Sequence, residues 1–113
     1  MGGYKDFTIM IRSKAIRDSA RSQDCTVQIV GVCNRNPETT VFAHYPSEGK
    51  GIGLKSSDIC GGYCCSSCHD ALDGRTRHAN LNQGEREFYM RRSMVRTLEK
   101  MIDMGIITVR GMK

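Results

Sequence analysis

Hydrophobic positions recur along the chain with two different periods, and each change of period marks an element. Phe7 to Ile11 is a short β-prone run, and the basic stretch Arg12 to Arg21 places Ala15, Ile16 and Ala20 at helical spacing. This predicts a short N-terminal helix within residues 12–24. Thr26 to Val32 and Thr39 to His44 are rich in β-branched residues, and the Asn and Pro of Asn34-Arg35-Asn36-Pro37-Glu38 between them form turns. Two strands and a loop are expected there. Pro46 to Ser57 holds three glycines, three serines and two lysines, the composition of a polar loop. Asp58 to Cys64 returns to extended character, with Gly61-Gly62 marking a bulge or a close approach of backbones. Ser66 or Ser67 can cap a short helix carrying His69, Asp70 and Asp73, which Gly74 can close in a left-handed conformation. After the linker Thr76 to Gly84, a long helix is expected from Glu85 to Met104. Its pattern puts Phe88, Val95, Leu98 and Ile102 on the buried face, Met94 and Met101 at the margin, and Arg92, Arg96 and Lys100 largely off it. Gly105 stops this helix, and Ile106 to Val109 is expected to add a terminal strand, making 85–110 a C-terminal unit. The fold class is α+β.

Composition narrows the class further. The 113 residues suit one domain, 1–113, with a small core and no room for a second catalytic domain. The chain is 39% apolar and 26% charged, and its apolar runs fall far short of the ~20 residues that cross a bilayer. Met1 to Asp6 lacks the basic and apolar segments of a secretion signal, so a cytoplasmic address and no membrane partner are expected. In a reducing compartment six cysteines point to metal ligation, redox chemistry or burial rather than to a disulfide framework.

Spacing favours a metal. Cys65-x-x-Cys68 is a knuckle that presents two thiolates to one tetrahedral ion, and Cys25 and Cys33, with seven residues between them, bracket the Thr26 to Val32 run and can complete the set. The expectation is a structural zinc on Cys25, Cys33, Cys65 and Cys68. Redox chemistry is the lesser alternative, because no βαβ pattern frames the C-x-x-C. Cys60 and Cys64 read as small buried hydrophobes. The formal charge of +5 falls to roughly +3 once four thiolates and a divalent ion are counted, a modest bias compatible with a polyanionic partner. Gly49 to Ser56 approaches a phosphate-binding loop, but Leu54 stands where the last glycine must be, which excludes an NTPase.

The order of the remaining chemistry is informative: His44 at a strand end, a Gly-rich loop, a strand, then Cys65-x-x-Cys68-His69 at a helix start. It is the order of a ββα-metal finger, in which two strands and a helix hold a divalent ion against a phosphodiester. His44 is the candidate general base, since a neutral imidazole titrates near pH 7. His69 and Asp73, four residues apart on a helix, can share one catalytic ion, Mg2+ or Mn2+ and less readily Zn2+. The plainer alternatives are a buried histidine at 44, a knuckle-supporting His69 and a solvated Asp73.

Arg12-Ser13-Lys14, Asp18 to Arg21, Asp24-Cys25-Thr26-Val27-Gln28-Ile29, Gly31-Val32-Cys33-Asn34, Asn36 to His44, Gly51-Ile52-Gly53-Leu54-Lys55 and Cys65-Ser66-Ser67-Cys68-His69-Asp70 together resemble the small phage and prophage nuclease family typified by YbcO. The resemblance spans about Arg12 to Gly74 and implies an HNH, or His-Me finger, endonuclease acting on DNA or RNA, with a structural zinc clamping the finger at 25–74. It implies His44 as base, His69 as a ligand of the catalytic metal, and Asp58 in place of the middle Asn. Lys55 and Arg75 are the cations expected to touch substrate. Ala43 departs from the pattern, because many such enzymes carry Asp or His there. The alternative is therefore a non-catalytic zinc module that binds nucleic acid or a phage protein.

Overall fold

The computed structural model describes residues 10–45, 57–76 and 80–113. It forms an α+β assembly in the order α1 (Lys14–Asp18), a 3-10 turn (Pro37–Thr39), β1 (Val41–His44), β2 (Gly61–Cys64), α2 (Ser66–Leu72) and α3 (Gln83–Asp103). Among these elements no helix is long and apolar enough to cross a membrane. The β-prone run expected from Phe7, and Lys55 of the polar loop, lie largely or wholly outside the described residues.

Each helix begins on a residue chosen for its oxygen or sulfur. Ser13 caps α1 by accepting from the Ile16 amide, and Asn82 and Glu85 close a reciprocal capping box on α3. Cys65, rather than Ser66 or Ser67, caps α2 through its thiol, so the first cysteine of the knuckle is also its helix start. Both α2 and α3 end alike. Gly74 (φ +71°) and Gly105 (φ +75°) take the left-handed region, and the amides of Arg75 and Ile106 reach back to Asp70 and Met101 carbonyls.

The two strands pair antiparallel in a regular register, Val41 with Cys64 and His44 with Gly61. The expected bulge is absent and the close approach is present. A Cβ on Gly62 would sit 2.1 Å from Ser93 Oγ, and one on Gly61 would sit 2.3 Å from the Ala43 carbonyl oxygen. α3 therefore lies directly on β2.

That contact corrects the expected face of α3. Ser93, Thr97 and Met101 are buried, while Phe88, Val95 and Leu98 are 49%, 53% and 43% exposed. Only small side chains fit against a glycine strand, and their hydroxyls are satisfied: Thr26 Oγ1 meets Ser93 Oγ at 2.7 Å and Thr97 Oγ1 at 2.9 Å, and the Tyr63 amide donates to Thr97 Oγ1. The packing face of α3 thus runs through the polar pair Ser93 and Thr97, which the hydrophobic pattern does not mark.

Two further elements differ from expectation. Thr26 to Val32 forms turns instead of a strand, with Gln28 and Gly31 at positive φ. The Thr26 amide and hydroxyl both donate to the Tyr63 carbonyl of β2, and the Val32 and Cys33 amides turn back onto the Ile29 carbonyl. Val27 and Ile29 are buried as loop anchors, and Arg92 and Arg96 hold the carbonyls of Val27 and Thr26. Ile106 to Val109 likewise forms no strand. The left-handed turn at Gly105 folds Ile107 back against Ile16, Ala20, Tyr63 and Met101 instead of along a sheet edge.

Candidate functional site

The turn at Ile29 brings Cys33 back towards Cys25, and the strand-to-helix corner presents Cys65 and Cys68. The four sulfurs lie within 4.8 Å of one another, with Cys33 and Cys65 at 3.9 Å. A thiolate tetrahedron about a small divalent ion has edges of about 3.8 Å, so the cluster is shaped to hold a metal ion. The electrostatics agree. Hydrogen bonds from Cys64 and Cys68 hold the Cys25 thiol far below its ordinary value, whereas the same contact together with burial pushes Cys64 and Cys68 up. Burial also raises Cys33. Four sulfurs this close would repel one another as thiolates without a cation at their centre. Cys64 is fully buried as a hydrophobe would be, while Cys60 is only half-buried.

His44 ends β1 on the opposite side of the strand from Ala43, which is 3% exposed and packs among Cys65, Cys68 and Ala71. Its imidazole stands edge-on to Phe42, ring centres 5.3 Å apart. Nε2 lies 2.7 Å from Asp58 Oδ1. Asp58 is 1% exposed, and its other oxygen accepts from the Ser13 amide and from Arg17 Nη1, each at 2.6 Å. Burial alone would raise the Asp58 carboxyl, but the hydrogen bonds from His44, Ser13 and Arg17 outweigh it and hold it below the usual carboxylate range. An ionised Asp58 accepts only, so neutral His44 carries its proton on Nε2 and leaves Nδ1 as an acceptor.

His69 and Asp73 sit one turn apart at the end of α2, Nε2 to Oδ2 3.7 Å, and Arg75 Nη2 lies 3.4 Å from the same carboxylate oxygen. Arg75 is thus beside the site, 67% exposed. Two ligand atoms on one helix face give a partial chelate. Among the described residues the cluster of three or more metal-ligating groups is the four-cysteine one.

Two cavities meet at His44. One, about 540 Å³, is lined by Arg12, Arg17, His44 and Asp58. The other, about 210 Å³, has His44, His69 and Asp73 in its wall together with Arg86 of α3. His44 and His69 therefore border one cavity, and the four-cysteine cluster is absent from its lining. Arg12, Arg17 and Arg86 escape sequence reasoning, which had only their charge to go on. Their sequence distance from His44 carries no local spacing, although the basic stretch Arg12 to Arg21 marks the right region.

Comparison with known proteins places these features. The family model described as "Putative nuclease YbcO" matches residues 14–106. "Putative nuclease YbcO" of Escherichia coli (strain K12) and "Putative nuclease ybcO" of Enterobacteria phage 82 are each 48% identical over 62 residues. That match covers 54% of this chain and 65% of each relative, just under two thirds of their length. A solved structure described as "Structure of a putative bacteriophage protein from Escherichia coli str. K-12 substr. MG1655" superposes with a TM-score of 0.64 at 35% identity, over 80% of this chain and 100% of that one.

Proposed function

The chain belongs to the YbcO nuclease family, and on that premise we propose that it is a metal-dependent endonuclease of the HNH type that hydrolyses phosphodiester bonds of DNA. The observation that carries this reading is the cavity bordered at once by His44, oriented by a buried carboxylate, and by the His69–Asp73 pair. In this reading β1, β2 and α2 serve as the ββα frame, and zinc is the ion assigned to Cys25, Cys33, Cys65 and Cys68, as the all-sulfur donor set favours it. Clamped in this way, the corner between β2 and α2 would hold His69 in the wall of the cavity that His44 also lines.

In the reaction, His44 Nδ1 removes a proton from a water molecule as its oxygen bonds to phosphorus. Asp58 stabilises the imidazolium that forms. The bond from phosphorus to one ester oxygen breaks, that oxygen leaves with the bonding pair, and it takes a proton from solvent water. His69 and Asp73 would hold a Mg2+ or Mn2+ ion, which would supply charge stabilisation for the hydrolysis. Arg12 and Arg17 make the neighbouring cavity cationic and steer the strand towards His44. Arg75, exposed beside Asp73, adds to that attraction, and Lys55, the other cation expected to touch substrate, lies outside the described residues. The proposed setting is phage or prophage DNA processing in the bacterial cytoplasm, in recombination, repair or packaging.

The test is plasmid nicking by the purified protein across divalent metals. We expect nicking with Mg2+ or Mn2+ that His44→Ala abolishes while zinc content and melting temperature stay unchanged. Equal nicking by the variant would remove His44 from the mechanism. A second reading, a non-catalytic module binding nucleic acid or a phage protein, is favoured by one observation: Ala43 is buried away from the cavity, leaving two metal ligands there. It predicts salt-dependent binding without turnover under any divalent ion.

A further inference from the structure

Arg86 projects from the first turns of α3 into the cavity shared by His44, His69 and Asp73. Its Nε is buried without a hydrogen-bond partner, and among the described residues its guanidinium makes no hydrogen bond or ion pair. The acid in the same lining, Asp73, is engaged instead by His69 at 3.7 Å and Arg75 at 3.4 Å. The other α3 arginine with a buried Nε, Arg92, is accounted for: its Nη2 donates to the Val27 carbonyl at 2.6 Å and its guanidinium covers the Phe88 and Tyr89 rings. Arg86 is held differently. A Cβ at Gly74 would lie 3.5 Å from Nη2, an ordinary contact, so the guanidinium rests beside the turn that closes α2.

A half-buried guanidinium without an acceptor loses hydration and gains nothing in return, unless an anion with paired oxygens enters the cavity. The remaining lining, Tyr45, Leu72, Gln83 and Met90, offers no such anion. We propose that Arg86 is the phosphate clamp of this site, donating two hydrogen bonds to the non-bridging oxygens of the phosphodiester held between His44 and the His69–Asp73 pair. The assignment rests on the hydrolase reading above and names the residue that grips its substrate. A planar fork fits two oxygens of one phosphate, which a lysine ammonium meets only as a point charge. The grip strengthens as charge builds on those oxygens at the pentacoordinate phosphorus, so its loss falls mainly on turnover.

The experiment compares wild type, Arg86→Lys and Arg86→Ala for zinc content, thermal melting, plasmid nicking in Mn2+, and binding of a short DNA duplex in Ca2+ at several salt concentrations. We expect zinc content and melting to hold. Turnover should fall about 100-fold in Arg86→Ala and about 10-fold in Arg86→Lys, with a smaller change in KM. The salt dependence of duplex binding should drop by about one phosphate contact in Arg86→Ala. Wild-type turnover and salt slope in Arg86→Ala would overturn the clamp, leaving the hydrolase reading intact. If wild type binds but never nicks, the hydrolase reading fails, and the salt slope alone then decides whether Arg86 holds a phosphate. Should Arg86→Ala lose its fold, the comparison of Arg86→Lys with wild type decides: equal turnover and equal slope would overturn the proposal.

Discussion

Replacing Asp58 by Asn separates the two tasks of this carboxylate, because the side chain keeps its shape and loses its charge. The Oδ2 position faces two donors, the Ser13 amide and Arg17 Nη1, both at 2.6 Å, so an amide must place its oxygen there. Its NH2 group then takes the Oδ1 position, 2.7 Å from His44 Nε2, and donates where the carboxylate accepted. Neutral His44 must respond by moving its proton to Nδ1, which removes the acceptor that serves as base. Losing a general base costs about 10²–10⁴-fold in rate. The stability cost is far smaller. Arg17 and His44 are 42% and 37% exposed and can rehydrate, so the lost charge interactions amount to about 1–2 kcal/mol after solvent screening. Nicking rates measured from pH 5 to 9, alongside urea unfolding, read both quantities. Nicking at the wild-type rate near pH 7 would refute the tautomer argument, and so would a loss of stability as large as that of Asp58→Ala.

The remaining predictions concern the frame. Gly62→Ala places a methyl group 2.1 Å from Ser93 Oγ and should lower stability by about 3 kcal/mol in urea unfolding, whereas Gly31→Ala meets no atom within 4 Å and pays only for its φ of +76°. A strong chelator, or Cys68→Ser, should release about one zinc per chain and lower the melting temperature, read by a colorimetric zinc assay and circular dichroism. Because Asp58 is held below its unfolded value, its contribution is complete above about pH 4 and disappears as pH falls through the folded value. Acid-limb unfolding curves of wild type and Asp58→Asn should therefore converge below that window. Divergence there would contradict the assignment.

What was legible in the sequence was what depends on short spacing. Cys65-x-x-Cys68 and the one-turn separation of His69 and Asp73 are local geometry, so their placement at a single helix follows from the chain itself. The long helix was equally legible in extent, and its buried face was not. Periodicity weighs Phe88, Val95 and Leu98 as core, but the glycines of β2 select neighbours by size, and Ser93 and Thr97 win because Thr26, Tyr45 and the Tyr63 amide satisfy their hydroxyls. The β-branched run at Thr26 fails as a strand for a related reason. Gathering Cys25 and Cys33 requires turns at positive φ that a paired strand forbids. The arginines around His44 were illegible, since Arg17 meets Asp58 across 41 residues and nothing local announces it.

Chemical rescue of His44→Ala tests the central claim most directly. With zinc bound and Mn2+ present, the variant should nick DNA at least about 100-fold more slowly than wild type, and added imidazole should restore the rate in proportion to its concentration. A variant that nicks as fast as wild type without imidazole would show that the proton is removed elsewhere.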